Sequence, residues 1–305
     1  MPDNEPYLTE LAPGVHAYVQ PDGGWCLSNA GFVSDGASTL LVDTAATERR
    51  ARRLRDALLA TGAPMPAYVV NTHHHGDHTY GNSLFAAGAE IIGHAASEKA
   101  QLATGHELHA IWPEVDYGEV PVTPPTLTYE DSMELEAGGT QVRLIHPGPA
   151  HSVGDTIVWL PERRIVFTGD LVFNGGAPFV AVGSLSGSLR ALGVLRELDA
   201  EVVVPGHGKV CDPEVFDTVE SYLHYVTVLA AEGRAAGRTP LETARAADPA
   251  EAGFGGLREP ERLVANLHRA YAEMDGLPPG APLDLAVVYG DLVAFNGGRY
   301  PVCHA

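Results

Sequence analysis

The run Thr72-His73-His74-His75-Gly76-Asp77-His78-Thr79-Tyr80-Gly81-Asn82 limits what this chain can become more than any other stretch. Within it, His73, His75, Asp77 and His78 make the spacing H-x-H-x-D-H. Apolar, β-branched Ala67-Tyr68-Val69-Val70-Asn71 precedes it and Leu84-Phe85-Ala86-Ala87 follows, so the polar residues fall on a turn between a strand and a short helix. Imidazole nitrogen suits zinc, and a carboxylate can complete or bridge such a site. His73 and His75, two apart beyond a strand end, can face one metal while Asp77 and His78 turn towards a second. A histidine-rich surface turn would account for H-H-H alone. It does not account for the D-H that follows in register after a buried strand.

Three other strand ends deliver residues of the same type. After strands around Ser132–Leu135 and Gln141–Ile145 comes His146-Pro147-Gly148-Pro149-Ala150-His151, a constrained loop with His151 as candidate third partner of His73 and His75. Thr156–Leu160, a Pro161-Glu162-Arg163-Arg164 turn and Ile165–Thr168 read as a hairpin ending at Gly169-Asp170. A carboxylate directly after an apolar strand is costly unless paired or coordinated, which makes Asp170 the natural bridge between two metals. The short strand Glu201–Val204 runs into Pro205-Gly206-His207-Gly208. Ligand-type residues at four strand ends form a constellation that chance explains poorly. Asp43 closes the strand Thr39–Val42, where it can support a ligating histidine or cap the following helix.

The rest of the chain sets the frame. Short apolar runs between Tyr7 and Thr44 predict an antiparallel opening sheet, with Ser34-Asp35-Gly36 as a hairpin turn. Glu48–Thr61 has helical period and places Arg49, Arg52 and Arg53 on one face, either solvated or a docking face for an acidic partner. Residues 104–128 are rich in Pro and Gly and predict an irregular lid or binding loop, with Trp112 and Tyr117 available as an aromatic wall. His106 and His109 on that loop are read as solvent-facing. Asn174–Gly183 reads as a glycine-rich loop, followed by a helix from about Ser188 to Leu198. Asp212 as N-cap with Pro213 at the first position predicts a further helix, and Arg262–Met274 another. The tail from Pro282 to Phe295 is read as helix. His224, His268 and His304 take core or surface roles. The expected organisation is a catalytic domain over 1–211 and a C-terminal helical extension over 212–305 packed on it.

Formal charge is 19 minus 39, or −20, an excess that repels nucleic acid and anionic membrane. No apolar run is long enough to span a bilayer, and the start Met1-Pro2-Asp3-Asn4-Glu5-Pro6 lacks the pattern of a signal peptide, so a cytoplasmic protein is expected. Cys26, Cys211 and Cys303 are widely spaced and form no C-x-x-C pair, which indicates neither a disulfide framework nor a cysteine zinc site.

The ordered set His73-x-His75-x-Asp77-His78, His151, Asp170 and His207 resembles the metallo-β-lactamase superfamily over residues from about 10 to 210. The resemblance implies an α/β fold, a four-layer αβ/βα sandwich with metals at one edge of two facing sheets. It further implies two zinc ions: His73, His75 and His151 hold the first, Asp77, His78 and His207 the second, and Asp170 bridges them. The bridging Asp is more like glyoxalase II and the ester and thioester hydrolases than like the antibiotic-hydrolysing members, which carry Cys or Ser there. His at 75, where iron members have Glu, favours zinc. The phrases around Ala150-His151-Ser152, Phe167-Thr168-Gly169-Asp170-Leu171-Val172-Phe173-Asn174-Gly175-Gly176 and the C-terminal Ala294–Ala305 look most like bacterial aromatic polyketide cyclase/thioesterases. On that likeness the chain is expected to cleave an acyl thioester, small or borne on an acyl carrier protein, with Asp77 taking the proton and Trp112 and Asn174 touching substrate. A glyoxalase II-like hydrolase or lactonase is the alternative, and a metal-binding protein without turnover a third reading.

Overall fold

The computed structural model describes residues 5–305; the N-terminal stretch read for a leader, Met1 to Asn4, lies outside them. Among the described residues twelve strands form two sheets. In the first, β1 (Tyr7–Ala12), β2 (Val15–Val19), β3 (Ala30–Ser34) and β4 (Thr39–Val42) run antiparallel, joined by turns such as Ser34–Ser38. Helix α1 (Glu48–Ala60) then carries the chain over to β5 (Tyr68–Val70), which pairs parallel to β4. After the short α2 (Gly76–Thr79) and a 3₁₀ turn, β6 (Glu90–His94), α3 (Ala95–Thr104), α4 (Glu107–Ile111) and β7 (Leu127–Tyr129) complete a seven-stranded sheet in sequential order. The second sheet has the order β12-β11-β10-β9-β8, from β8 (Ser132–Ala137), β9 (Thr140–Ile145), β10 (Ile157–Leu160), β11 (Ile165–Phe173) and β12 (Val202–His207).

Burial follows from this stacking. Residues of β10 and β11 are buried on both faces, as their unbroken apolar runs require. The edge strand β8 alternates exposed and half-buried positions. Between the sheets, Val15, Val33, Leu40, Val70 and Ile92 pack on Val142, Leu144, Val158, Ile165 and Phe167. On the outer face of the first sheet, Leu54 and Leu58 of α1 cover Phe32, Leu41, Val69 and Ile91. On the outer face of the second, α5 (Leu185–Glu197) and α6 (Val215–Ala235) share one core with Val166, Val172 and Val203. Helix α8 (Arg262–Met274) contributes Leu263, Val264 and Leu267 to that same core. The result is the expected αβ/βα sandwich with C-terminal helices. Among the described residues no helix is long and apolar enough to cross a membrane.

Local details depart from expectation. The segment 104–128 is not structureless: α4 forms within it, and β7 begins at Leu127. Strand β11 does not stop before Asp170 but continues to Phe173, with its pairing to β12 shifted at Gly169, whose φ is +50°. That irregularity turns Asp170 into the site instead of ending the strand. Helix α5 starts at Leu185, capped by Ser184, earlier than the sequence period indicates. Asp212-Pro213-Glu214 is a turn and not a helix start: Val215 N–H bonds to the Asp212 carbonyl, and α6 begins only at Val215. Helix α7 (Pro240–Ala246), opened by a Thr239–Glu242 capping box, has no counterpart in the expectations. Helix α9 (Leu285–Phe295) agrees with the helical reading of the tail.

Candidate metal centre

All seven expected ligands converge at one edge of the sandwich. The β5–α2 turn supplies His73 and His75, and α2 itself Asp77 and His78; the loop before β10 supplies His151; β11 and β12 supply Asp170 and His207. Close approach of the last two strands is needed here, because a Cβ at position 206 would fall on the Asp170 carboxylate. His73 Nε2 and His151 Nε2 lie 3.0 and 2.9 Å from His75 Nδ1. Asp170 Oδ2 stands 3.4 Å from both His151 Nε2 and His207 Nε2, while its Oδ1 is 3.1 Å from His78 Nε2. Asp77 Oδ2 is 3.3 Å from His207 Nε2 and 3.7 Å from His78 Nε2. Ligand atoms arranged tetrahedrally around one zinc ion at roughly 2.0–2.2 Å are themselves roughly 3.3–3.6 Å apart. The donor atoms therefore fall into two groups, His73-His75-His151-Asp170 and Asp77-His78-His207, each spaced as ligands of one ion.

Two observations say that these groups suit a cation. His78 Nε2 and Asp170 Oδ1 are buried and make no hydrogen bond although they are 3.1 Å apart, as two ligands aimed at a shared ion would be. The remote ring nitrogens of His78, His151 and His73 are occupied instead, while that of His207 has no partner. His78 Nδ1 meets Asp43 Oδ2 at 2.8 Å, His151 Nδ1 meets the Phe179 carbonyl at 2.6 Å, and His73 Nδ1 meets Thr72 Oγ1 at 3.1 Å. Such contacts fix ring orientation and leave the inner nitrogen as the free donor.

Asp43 thereby supports the ring of His78 and does not cap the helix. Its carboxylate also accepts from the Thr72 N–H and hydroxyl at 2.7 and 2.6 Å, while Thr47 caps α1.

Electrostatics agree with the geometry. Burial, reinforced by neighbouring imidazoles, holds His73 and His75 well below the ordinary histidine range, in the neutral form that ligation requires. Burial opposes charge on His78 and His207 too, but the Asp170 and Asp77 carboxylates outweigh it, raising His78 well above its ordinary value and His207 to about 9. Paired buried carboxylates thus draw positive charge into the site, whether as protons or as metal.

A narrow cavity opens above these ligands. His75, Asp77, His151, Asp170 and His207 form its floor, and Trp25, Trp112, Phe173 and Phe179 much of its wall. Its free volume is about 50 Å³, room for water, and residues of α4 and α9 contribute to its lining. Trp112 reaches this wall from the end of α4, is itself fully buried, and donates its indole N–H to the Pro301 carbonyl at 2.8 Å. Asn174 does not line it: its amide donates to the Lys209 carbonyl at 2.9 Å, at a separate surface depression with Asp22 and Arg258. His106 is exposed, bonding the Val120 carbonyl at 2.7 Å, and His109 stacks on Tyr117.

Several cavity residues carried no sequence signal. Trp25 and Cys26 lie on an irregular stretch before β3, Glu107 is on α4, Arg262 on α8 and Tyr289 on α9. Burial, then the nearby Asp77 charge, pushes Glu107 up to about 7, and its carboxylate lies close to His74 and His75. His74, between two ligands in the motif, is buried with Nδ1 unpartnered, and burial lowers it to about 3.

Fold and site together define a metal-binding αβ/βα sandwich of hydrolase type. The chain belongs to the metallo-beta-lactamase superfamily, whose family model matches residues 23–207, and most of whose members are metal-dependent hydrolases. Among its relatives, the 2,4-dinitroanisole O-demethylase subunit alpha of Nocardioides sp. (strain JS1661) is 29% identical, over 60% of this chain and 54% of that one. The atrochrysone carboxyl ACP thioesterase AgnL7 of Paecilomyces divaricatus is also 29% identical, over 67% of this chain and 59% of its own length. The chain thus spans little more than half the length of either relative. In fold it matches the metallo-β-lactamase FIM-1 of Pseudomonas aeruginosa with a TM-score of 0.60 at 22% identity, covering 73% of this chain and 97% of that one.

Proposed function

We propose that the protein is a dinuclear zinc hydrolase that cleaves acyl thioesters, with an aromatic polyketide chain as the acyl group. The observation that carries this reading is the junction, in one cavity, of seven ligand-type side chains and an aromatic wall. When bound, two zinc ions would polarise the acyl carbonyl and lower the pKa of water to near neutrality. The protein's own part is to place and dry the reaction. Asp77, on the floor of the cavity beside His207, would take the proton released as water attacks. Trp25, Trp112, Phe173 and Phe179 would hold a flat acyl group and exclude bulk solvent. Nothing in this scheme needs a serine or cysteine nucleophile. Ring closure of a β-keto chain before cleavage belongs to the same reading, and a thioesterase among the relatives supports the thioester bond as target.

His75→Ala removes the donor nearest to both other histidines of the first group. Cleavage of a bicyclic β-keto thioester should disappear while circular dichroism and expression stay those of the parent, and metal content by elemental analysis should fall. Full activity in that variant would sink the proposal. Turnover of S-lactoylglutathione or a homoserine lactone in preference to every aryl thioester would move the acyl group away from polyketides.

A further inference from the structure

Arg262 is a buried cation that the fold leaves unmatched. It sits in the first turn of α8, 1% exposed, and lines the cavity above the metal ligands. Its guanidinium lies against two aromatic faces, 4.2 Å from the Trp25 ring centre and 4.8 Å from that of Phe173. Phe173 in turn stacks on His207 at 5.2 Å. One nitrogen, Nη1, donates to the Ala177 carbonyl at 2.9 Å, and Nε has no partner. Among the described residues no carboxylate comes within the 4.0 Å of an ion pair. The nearby acids are engaged elsewhere: Glu261 accepts from the Trp25 indole at 2.8 Å and Glu259 from its backbone N–H at 3.3 Å.

The comparison with Arg269, about two turns further along the same face of α8, shows what a purely structural arginine looks like in this protein. Arg269 is equally buried and also leaves one nitrogen, Nη1, without a partner, but it donates three times to backbone carbonyls, of Ala181 and Ala281, and does not line the cavity. Arg262 has one such bond. It also stands at the end of α8 where the helix dipole disfavours a cation and favours an anion. Burying an unpaired charge is expensive, and a planar fork held between rings is suited to a carboxylate or an acidic enol oxygen.

We propose that Arg262 is a specificity-determining residue that binds a second, anionic group of the substrate, so that the cavity selects planar aromatic acyl thioesters bearing a carboxylate or comparably acidic oxygen away from the scissile bond. This deepens the thioesterase reading and rests on it for the identity of the scissile bond. The anion site itself is testable without turnover.

The kinetic arm compares the N-acetylcysteamine thioesters of 4-carboxybenzoate and 4-carbamoylbenzoate, which differ only in the remote group. The metal-loaded parent should prefer the carboxylate by tenfold or more in kcat/KM. In Arg262→Met the ratio should fall to about one, chiefly through a raised KM for the carboxylate substrate; Arg262→Lys should fall between. No preference in the parent, or a ratio that survives Arg262→Met, overturns the proposal. The binding arm follows quenching of Trp25 and Trp112 fluorescence by 4-carbamoylbenzoate and by terephthalamide. Preference for the anion, lost in Arg262→Met, supports the site even where neither thioester is cleaved, which would count against the thioesterase reading alone. Anion preference retained in Arg262→Met would assign it to the metals and overturn the proposal. Should Arg262→Met not fold, Arg262→Lys decides: anion preference undiminished in that variant would overturn the assignment to a planar fork.

Discussion

At the scale of single residues, the ligands were readable because their chemistry and backbone position coincide. His73, His75, Asp170 and His207 follow or sit within an apolar strand, where an imidazole or carboxylate has no reason to be unless something binds it; Asp77 and His78 come in the short helix just after, and His151 in a constrained loop. Asp43 was readable only as one of two roles, since a carboxylate after a strand caps helices as readily as it supports a histidine, and the sequence does not say where His78 points. With the geometry known, Asp43→Asn should keep the fold but weaken metal retention by about 10- to 100-fold, measured by competition with a chromophoric chelator. An unchanged affinity would return Asp43 to a role in backbone geometry alone. Glu259 makes a second residue-level case. Burial pushes its carboxyl from an ordinary 4.5 to about 7, with Glu261 adding to the shift against Arg262. A raised acid binds its proton more tightly in the folded chain, so stability falls as pH rises from about 4.5 through 7 and the loss is complete above it. Glu259→Gln, which never ionises, should therefore melt higher than the parent at pH 8, with the gap closing towards pH 5; a gap independent of pH would reject this. Arg262 and Trp25 were illegible for a different reason. They meet across more than two hundred positions of sequence, and an arginine opening an amphipathic helix looks like any solvated residue.

At the scale of elements, the sequence read periodic segments well and punctuated ones poorly. Helices α1 and α8 matched because an apolar stripe sets their length, whereas α4 and α7 are shorter than the window over which a stripe can be seen. Gly169 was read as a stop, yet β11 absorbs it as an irregularity and continues, which is what delivers Asp170 between both ligand groups. The family likeness points to Asn174 as a substrate contact, but its amide is used to hold the Lys209 carbonyl after β12. The elements that close the cavity are α4 and α9, of which α9 buries only Val288 and Leu292 fully, so its hold on the body is weak beside that of α8. Tyr289, half-buried on α9, projects into the cavity beside Leu285. If displacement of α9 admits substrate, Tyr289→Ala should raise kcat/KM for bulky aryl thioesters several-fold and leave acetyl thioesters unaltered. A matching loss on both would mean that Tyr289 holds the site together and does not obstruct it.

At the scale of the whole molecule, charge is the remaining argument. A net −20 disfavours encounter with an acidic carrier except where positive charge is concentrated, and the exposed face of α1 with Arg49, Arg52 and Arg53 is the place the sequence offers. That face is less basic than its residues suggest: Arg52 is paired with Glu48 and Arg53 with Glu5, while Arg50 turns inward to Gln20 and the His304 carbonyl. Such exposed pairs are screened by solvent and hold their partners weakly, so a carrier phosphate or carboxylate can displace them at little cost. The same face borders a shallow depression shared with Glu114, Asp116 and Cys303, which adds negative charge at its rim. Docking there would be steered by few charges and hence be sensitive to salt. Reversing Arg49, Arg52 and Arg53 to Glu together should raise KM for a carrier-bound acyl thioester by about tenfold at low salt, the gap shrinking as salt screens it. The N-acetylcysteamine thioester of the same acyl group, which needs no docking, should keep its KM. Equal changes for both substrates would place the effect in the fold of α1, whose Leu54 and Leu58 cover the first sheet, and would leave the acidic body without a carrier face on this helix.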